Sequence, residues 1–353
     1  MSPTSLPQMR FLCFGVGAIG TYIGGSLALI GQRVVFVDNP GVAAQVRGSG
    51  LHLCLDGHDR IVQDPIIVTS MNEALTQGPF DLAILAIKSY DTASFVDNLQ
   101  AYSAALPPFL CLQNGVENED LLAKILGGER VIPASVTTAI ARLAAGNIVL
   151  ERLRGIGIAS GHPLSATLAA LFDSAGLRAR LYNQPMAMKW SKMLTNLMGN
   201  ATSAILNMTP AQVYADPQLY ALEVQQLIET LRVMRAQRIP VVDLPGTPVR
   251  ALALALNLLP AGLSRPFVKR AIGKGRGEKM PSFHIDLYAG RPQSEVGYLN
   301  GAVVRYGQRF AVPTPANSFL NETLLSLVEG KTDKSEFANQ PKKLIELYQD
   351  RVV

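Results

Sequence analysis

The sequence predicts an α/β fold: an N-terminal Rossmann-type domain with a doubly wound parallel sheet, followed by a mostly α-helical domain. Three observations carry this. The first third of the chain alternates short β-branched apolar runs with helix-like stretches, the pattern of strands buried on both faces and joined by crossover helices. A glycine-rich turn, Gly15-Val16-Gly17-Ala18-Ile19-Gly20, stands between the first such strand and the first helix. From about Gln184 onward, apolar residues recur at helical spacing and strand signals thin out.

Taken in order, Phe11-Leu12-Cys13-Phe14 reads as the opening strand, Ile19–Ile30 as a helix, and Arg33–Val37 as a second strand ending at Asp38. Further strands are predicted at 65–69, 81–87 and 109–113, and a later pair at 131–138 and 147–158 extends the sheet edge. Pro185 beside Asn183 punctuates the chain, so domains are expected at 1–184 and 185–353. Helices are predicted over 186–206, 217–237 and 285–309. The stretch 241–281 holds five Gly, five Pro and seven Lys/Arg against two acidic residues. It reads as a basic surface insertion, with a lid or an oligomer contact as the alternative.

Composition removes several function classes. With 353 residues, 48% hydrophobic and 17% charged, the chain is neither disordered nor a polyelectrolyte. Its net charge of +5 is spread along the sequence, which argues against a nucleic-acid partner and suits a small anionic ligand. Three cysteines without a C-x-x-C pair predict neither a disulfide framework nor structural zinc, and fit a reducing cytoplasm. No His/Cys/Asp cluster has metal-ligand spacing, so no metal is expected. The polar first nine residues lack the features of a secretory signal. The longest apolar run, 251–263, is interrupted by Asn257 and Pro260 and falls short of the ~20 residues that span a bilayer. A soluble, cytoplasmic protein with no membrane partner is expected.

The glycine turn carries the first chemical reading. Gly15 permits the tight turn, Gly17 lets backbone approach a pyrophosphate, and Gly20 allows close helix–strand packing. The exposed N–H groups of Val16, Ala18 and Ile19 and the positive helix end then favour phosphate. Asp38 closes the next strand, where a carboxylate accepts from the ribose hydroxyls of NAD and repels the 2′-phosphate of NADP. Asp38 therefore leans toward NADH; the plainer reading is a residue that starts the turn at Asn39-Pro40.

A second constellation lies in the helical half. Lys192, Asn196 and Asn200 stand at i, i+4 and i+8, which on one continuous helix places them on one face. Hydride reduction of a ketone creates an alkoxide that needs charge stabilisation and a proton, and a lysine ammonium supplies both. An exposed polar stripe is the alternative, weighed against by flanking Met193, Leu194, Leu197 and Met198. Lys88 and Asn114 follow predicted strands, at the sheet end where ligands bind such folds. Asn114-Gly115 alone is also an ordinary turn dipeptide. Ser282 and Glu295 complete the candidates; Glu295 reads as an acceptor for a substrate hydroxyl, a partner for Lys192, or a helix-start carboxylate. His284 reads as a packed or capping residue.

Together these segments resemble the ketopantoate reductase (2-dehydropantoate 2-reductase) family. The resemblance covers the N-terminal glycine motif, Ile87-Lys88-Ser89-Tyr90-Asp91, Leu112-Gln113-Asn114-Gly115, and Lys189-Trp190-Ser191-Lys192 through Asn200. It resumes from Ser282 through Glu295, Asn300-Gly301 and Pro313-Thr314-Pro315. It implies NADPH-dependent reduction of 2-dehydropantoate to (R)-pantoate, a step toward pantothenate and coenzyme A. It further implies Lys192 as general acid, Asn114 orienting the carbonyl and nicotinamide, and Lys88 contacting the cofactor. Asn196, Asn200, Ser282 and Glu295 would hold the substrate carboxylate and hydroxyl, and the protein would be a homodimer. Two departures stand out. Asp38-Asn39 occupies the place where the family commonly carries a basic residue, which leaves NADH open, and 241–281 exceeds the usual connection, which leaves a related 2-oxo acid open. The alternatives are a dehydrogenase of another hydroxy or oxo acid on the same architecture, and a non-catalytic dinucleotide-binding protein.

Overall fold

The computed structural model describes residues 6–258 and 279–352. The part of the basic insertion at 259–278 lies outside the described residues. The chain forms two compact units: one runs to Lys189 and adds Leu244–Thr247, and the other holds Trp190–Asp243 and the described residues from Pro248 onward.

The first unit is built on an eight-stranded sheet. Its strands are β1 (Arg10–Phe14), β2 (Arg33–Val37), β5 (Ile66–Val68), β6 (Leu82–Leu85), β7 (Phe109–Cys111), β8 (Val131–Val136), β11 (Ile156–Ala159) and β12 (Ala179–Tyr182). They lie in the order β12-β11-β8-β7-β6-β1-β2-β5. The run from β5 to β8 is parallel, while β11 joins β8 antiparallel. The connections leave β1 toward β2 on one side and return to β6 on the other, so the order reverses at β1, where such sheets open a ligand crevice at their carboxyl ends. Alternation along β1 feeds two cores. Phe11 and Cys13 pack with Tyr22, Ile23 and Leu27 of α1 (Ala18–Leu29), whereas Leu12 and Phe14 pack with Val96 of α4 (Thr92–Leu99) and Leu122 of α5 (Asn118–Leu126). Both faces are covered, which is why these strands read as unbroken apolar runs.

A second, four-stranded sheet, β4-β3-β10-β9, was not expected; it comprises β3 (Leu51–Leu55), β4 (His58–Val62), β9 (Ala139–Ala144) and β10 (Asn147–Arg152). Leu51, Leu53 and Ile148 turn into the α1 core. The expected single strand over 147–158 is corrected to β10 and β11, which belong to different sheets. Gly155 makes the switch at φ +138, where an added Cβ would come 2.4 Å from the carbonyl oxygen of Arg178.

The second unit is helical. Two expected helices are corrected here. The span 186–206 divides into α7 (Pro185–Leu197) and α8 (Asn200–Leu206), with Gly199 left-handed at φ +62. The division between the units falls inside α7, after Lys189. The span 285–309 divides into Ser282–Tyr288, a 3-10 turn at Glu295–Tyr298 and Asn300–Arg309, after Gly290 at φ +69 ends the first helix. The break at Gly199 is held from the long helix Pro217–Ala236. Glu223, fully buried, accepts from the Gly199 N–H at 2.7 Å, the Thr202 hydroxyl at 2.5 Å and the Tyr214 hydroxyl at 2.8 Å. Burial pushes the Glu223 carboxyl pKa up, against those hydrogen bonds. No helix among the described residues is long and apolar enough to cross a membrane.

Candidate active site

In the first unit the glycine turn leaves β1 and enters α1. Gly15 sits at φ +94, and its N–H donates to the Val37 carbonyl at 3.0 Å. A Cβ at Gly20 would lie 1.8 Å from the Gly15 carbonyl oxygen, so no other residue fits there without moving α1. A Cβ at Gly17 would enter open space, and Gly17 caps α1 with no side-chain bond to the helix N–H groups. Room beside the backbone, together with helix N–H groups that have no side-chain cap, fits the phosphates of a dinucleotide. Asp38 is tied to this turn: Oδ2 accepts the Val16 N–H at 2.7 Å, which corrects the expectation that this N–H is exposed to a phosphate, and Oδ1 accepts the Asn39 backbone N–H at 2.8 Å and its side-chain amide at 2.9 Å. Asn39 in turn caps the following helix, Pro40–Ser49, by accepting from Val42 N–H at 3.0 Å.

Lys88 and Asn114 occupy the loops after β6 and β7, at the same end of the sheet, and both are half-buried. A buried polar network stitches these loops together. The Asn114 carbonyl accepts from the Ser89 hydroxyl at 2.9 Å and the Asn118 amide at 2.7 Å. Gln113 donates to the Thr92 hydroxyl at 2.7 Å and to the Ile87 carbonyl at 3.1 Å, and Thr92 donates to Asn118 at 3.0 Å. The sequence segments that contain Ser89 and Gln113 gave those two residues no role, and Thr92 and Asn118 went unnamed; the signal available was polar residues on elements whose other residues are core.

Lys189, named in the sequence only as the start of the Lys189–Lys192 segment, likewise carried no role. This side chain is 1% exposed, and its Nζ lies 2.7 Å from Glu119 and donates to the carbonyls of Gln113 at 2.7 Å and Ala134 at 3.3 Å. Burial pushes its pKa down; the carboxylate of Glu119 outweighs this and holds the Lys189 pKa above the usual lysine value. Burial also raises the Cys111 thiol beside this cluster and the Cys13 thiol under the glycine turn, which keeps both protonated.

In the second unit Lys192 is half-buried on α7, and Asn196 is buried one turn further on. Asn200 begins α8 beyond the Gly199 break, so the three do not share one continuous helix face as the spacing suggested. The break gives Asn200 a different duty. Its Oδ1 accepts from the Phe283 N–H at 3.1 Å and its Nδ2 lies 3.5 Å from the Ser282 hydroxyl, so Asn200 and Ser282 do come together. Glu295 is buried at the start of the 3-10 turn, behind the Ser294 cap. His284 is packed, with Nε2 2.7 Å from Asn207 Oδ1 and its ring stacked on Tyr288 at 4.3 Å. Burial lowers its pKa.

Comparison with known proteins agrees across both halves. The family model for ketopantoate reductase PanE/ApbA matches residues 11–161, and that for the ketopantoate reductase PanE/ApbA C terminal matches 185–329. The 2-dehydropantoate 2-reductase of Archaeoglobus fulgidus is 27% identical over 331 residues, 91% of this chain and 97% of its own length. That of Pyrococcus horikoshii is 25% identical over 328 residues, 92% of this chain and 97% of its own. The crystal structure of a PanE/ApbA family ketopantoate reductase from Ralstonia eutropha JMP134 superposes with a TM-score of 0.76 at 28% identity, covering 92% of this chain and 99% of the other. A D-mandelate dehydrogenase solved with NADH and anilino(oxo)acetate shares the fold, with a TM-score of 0.73 at 21% identity over 91% of this chain and 99% of its own. A Rossmann-type first half and a helical second half, each matched by the corresponding family model, lead to one conclusion: the chain belongs to the ketopantoate reductase family.

Proposed function

We propose that the chain reduces the ketone of 2-dehydropantoate to the alcohol of (R)-pantoate with a reduced nicotinamide dinucleotide. When bound, the dinucleotide supplies a hydride to the carbonyl carbon. The carbon–oxygen π pair then moves onto oxygen, and Lys192 gives that oxygen its proton. The observation that carries this reading is the half-buried Lys192, one helical turn from the buried Asn196. A lysine in that setting is a donor with a polar neighbour on the same helix, which suits an oxyanion. Asn114 orients the carbonyl and Lys88 holds the cofactor. Asn196, Asn200, Ser282 and Glu295 bind the substrate carboxylate and hydroxyl. The glycine turn, Gly15 through Gly20, takes the pyrophosphate. At the end of β2, Asp38 supports NADH over NADPH, because its carboxylate would meet the 2′-phosphate with like charge.

The test is oxidation of NADH and of NADPH followed at 340 nm with 2-dehydropantoate, beside a panel of other 2-oxo acids. Turnover with 2-dehydropantoate is expected, and Lys192→Ala should lower kcat by about 10²–10⁴-fold, the typical worth of a general acid. Wild-type turnover in the Lys192→Ala enzyme rejects the assigned role, and faster reduction of another oxo acid rejects the substrate. Family resemblance further supports a cytoplasmic homodimer, which sedimentation at micromolar concentration checks.

A further inference from the structure

Lysine is among the side chains least expected in a protein interior, and Lys189 is 2% exposed overall. It takes no part in the reaction described above. Its ammonium carries three N–H donors and meets three acceptors: the Glu119 carboxylate, the Gln113 carbonyl and the Ala134 carbonyl. Stability is a poor account of such a pair, since burying two charges costs about what their attraction returns, and apolar replacements of similar volume are often as stable.

What the ammonium grips is more informative. The Gln113 carbonyl belongs to the peptide group whose nitrogen is that of Asn114. On the other side of the same Cα, the Asn114 carbonyl is held by the Ser89 hydroxyl and the Asn118 amide. Both peptide planes that flank Asn114 are therefore clamped through their oxygens, one from α7 and the other from the Ser89 turn and α5. Because each peptide group is planar, fixing two successive planes fixes φ and ψ between them, and with these the direction in which the side chain leaves the backbone. A bond from a charged donor is about twice as strong as a neutral one, so the single Lys189 bond matches the two neutral bonds on the Asn114 carbonyl.

We infer that Lys189, with Glu119 as its counter-ion, is a positioning residue that sets the orientation of Asn114. The inference rests on the reading of Asn114 as the group that orients the substrate carbonyl. Lys189 does not touch the substrate; it acts through one peptide bond. Glu119 keeps the ammonium charged inside the protein.

The test uses the full chain with both charges removed together, Lys189→Met with Glu119→Leu, so that no lone buried charge unfolds the protein. Hydrogen exchange of the protein without cofactor reads the clamp directly. Amides of the segment 109–118 should exchange at least tenfold faster in this variant, with β1, β2 and β6 unchanged. Turnover is then compared in a cycle with Asn114→Ala. The charge-free variant should lose tenfold or more in kcat with little change in KM, and lose almost nothing further when Asn114 is already alanine. Unchanged exchange in 109–118, or losses that multiply independently in the cycle, overturns the inference while leaving the proposed function intact. Full activity of Asn114→Ala alone overturns both the inference and the reading of Asn114 beneath it.

Discussion

At the scale of single residues, Asp38 holds the backbone beside the glycine turn with both carboxylate oxygens, and the proposed function adds the ribose of the cofactor. One carboxylate oxygen supports the glycine turn through the Val16 N–H, and the other organises Asn39. Asp38→Ser keeps a short polar side chain but removes the charge. The ratio of kcat/KM for NADPH over NADH should rise by about 10- to 100-fold, the worth of one hydrogen bond to a charged group, about 1.5–3 kcal/mol. An unchanged ratio would show that the carboxylate does not face the ribose. Gly15, Gly17, Gly20 and Asp38 were legible because their spacing reflects local backbone geometry that any sequence must satisfy. The role of Lys189 was not, because its meaning depends on a carbonyl 76 residues earlier in the chain.

At the scale of elements, glycines decided where the sequence reading failed. The i, i+4, i+8 spacing of Lys192, Asn196 and Asn200 suggested one helix, but Gly199 turns left-handed and Glu223 secures the turn. Periodicity alone carries no sign of such a break; a glycine immediately before the third polar residue was the only cue. The hairpin of β3 and β4 had a better one, since Leu51-His52-Leu53-Cys54-Leu55 alternates and Asp56-Gly57, both at positive φ, is a favoured two-residue turn. Gly199→Ala should cost about 1–2 kcal/mol in denaturant unfolding, since an L-residue is forced left-handed. Its Cβ would also press on Pro210 and Tyr214 at 3.3 Å. The KM for the oxo acid should rise with it, because Asn200 follows directly. Unchanged stability would show that the helices rejoin without the break.

At the scale of the whole molecule, the first unit ends its continuous stretch at Lys189 of α7 and is completed by a turn from later in the chain, Leu244–Thr247. Their contributions differ in kind. Lys189 adds a pH dependence whose sign follows from its raised pKa. Unfolded lysine titrates near 10.4, so the pair's contribution is complete below about pH 10.4 and is lost as pH rises through the folded value. Compared with the variant carrying Lys189→Met and Glu119→Leu, the wild-type chain should lose denaturation free energy faster above about pH 10.4. Parallel profiles in urea from pH 8 to 12 would remove this assignment. The doubly wound parallel sheet was legible from the alternation of strands and helices, whereas the late turn had no local signal beyond Pro245-Gly246.

That late turn bears on how the two halves can be exchanged between relatives. The Thr137 hydroxyl donates to the Pro245 carbonyl at 2.9 Å, and a Cβ at Gly246 would lie 2.9 Å from the Arg154 side chain. A chimera joined only near residue 185 would pair one parent's Thr137 and Arg154 with the other parent's turn. Grafts of the helical half should therefore return four residues, Leu244 to Thr247, to the parent that donates the sheet.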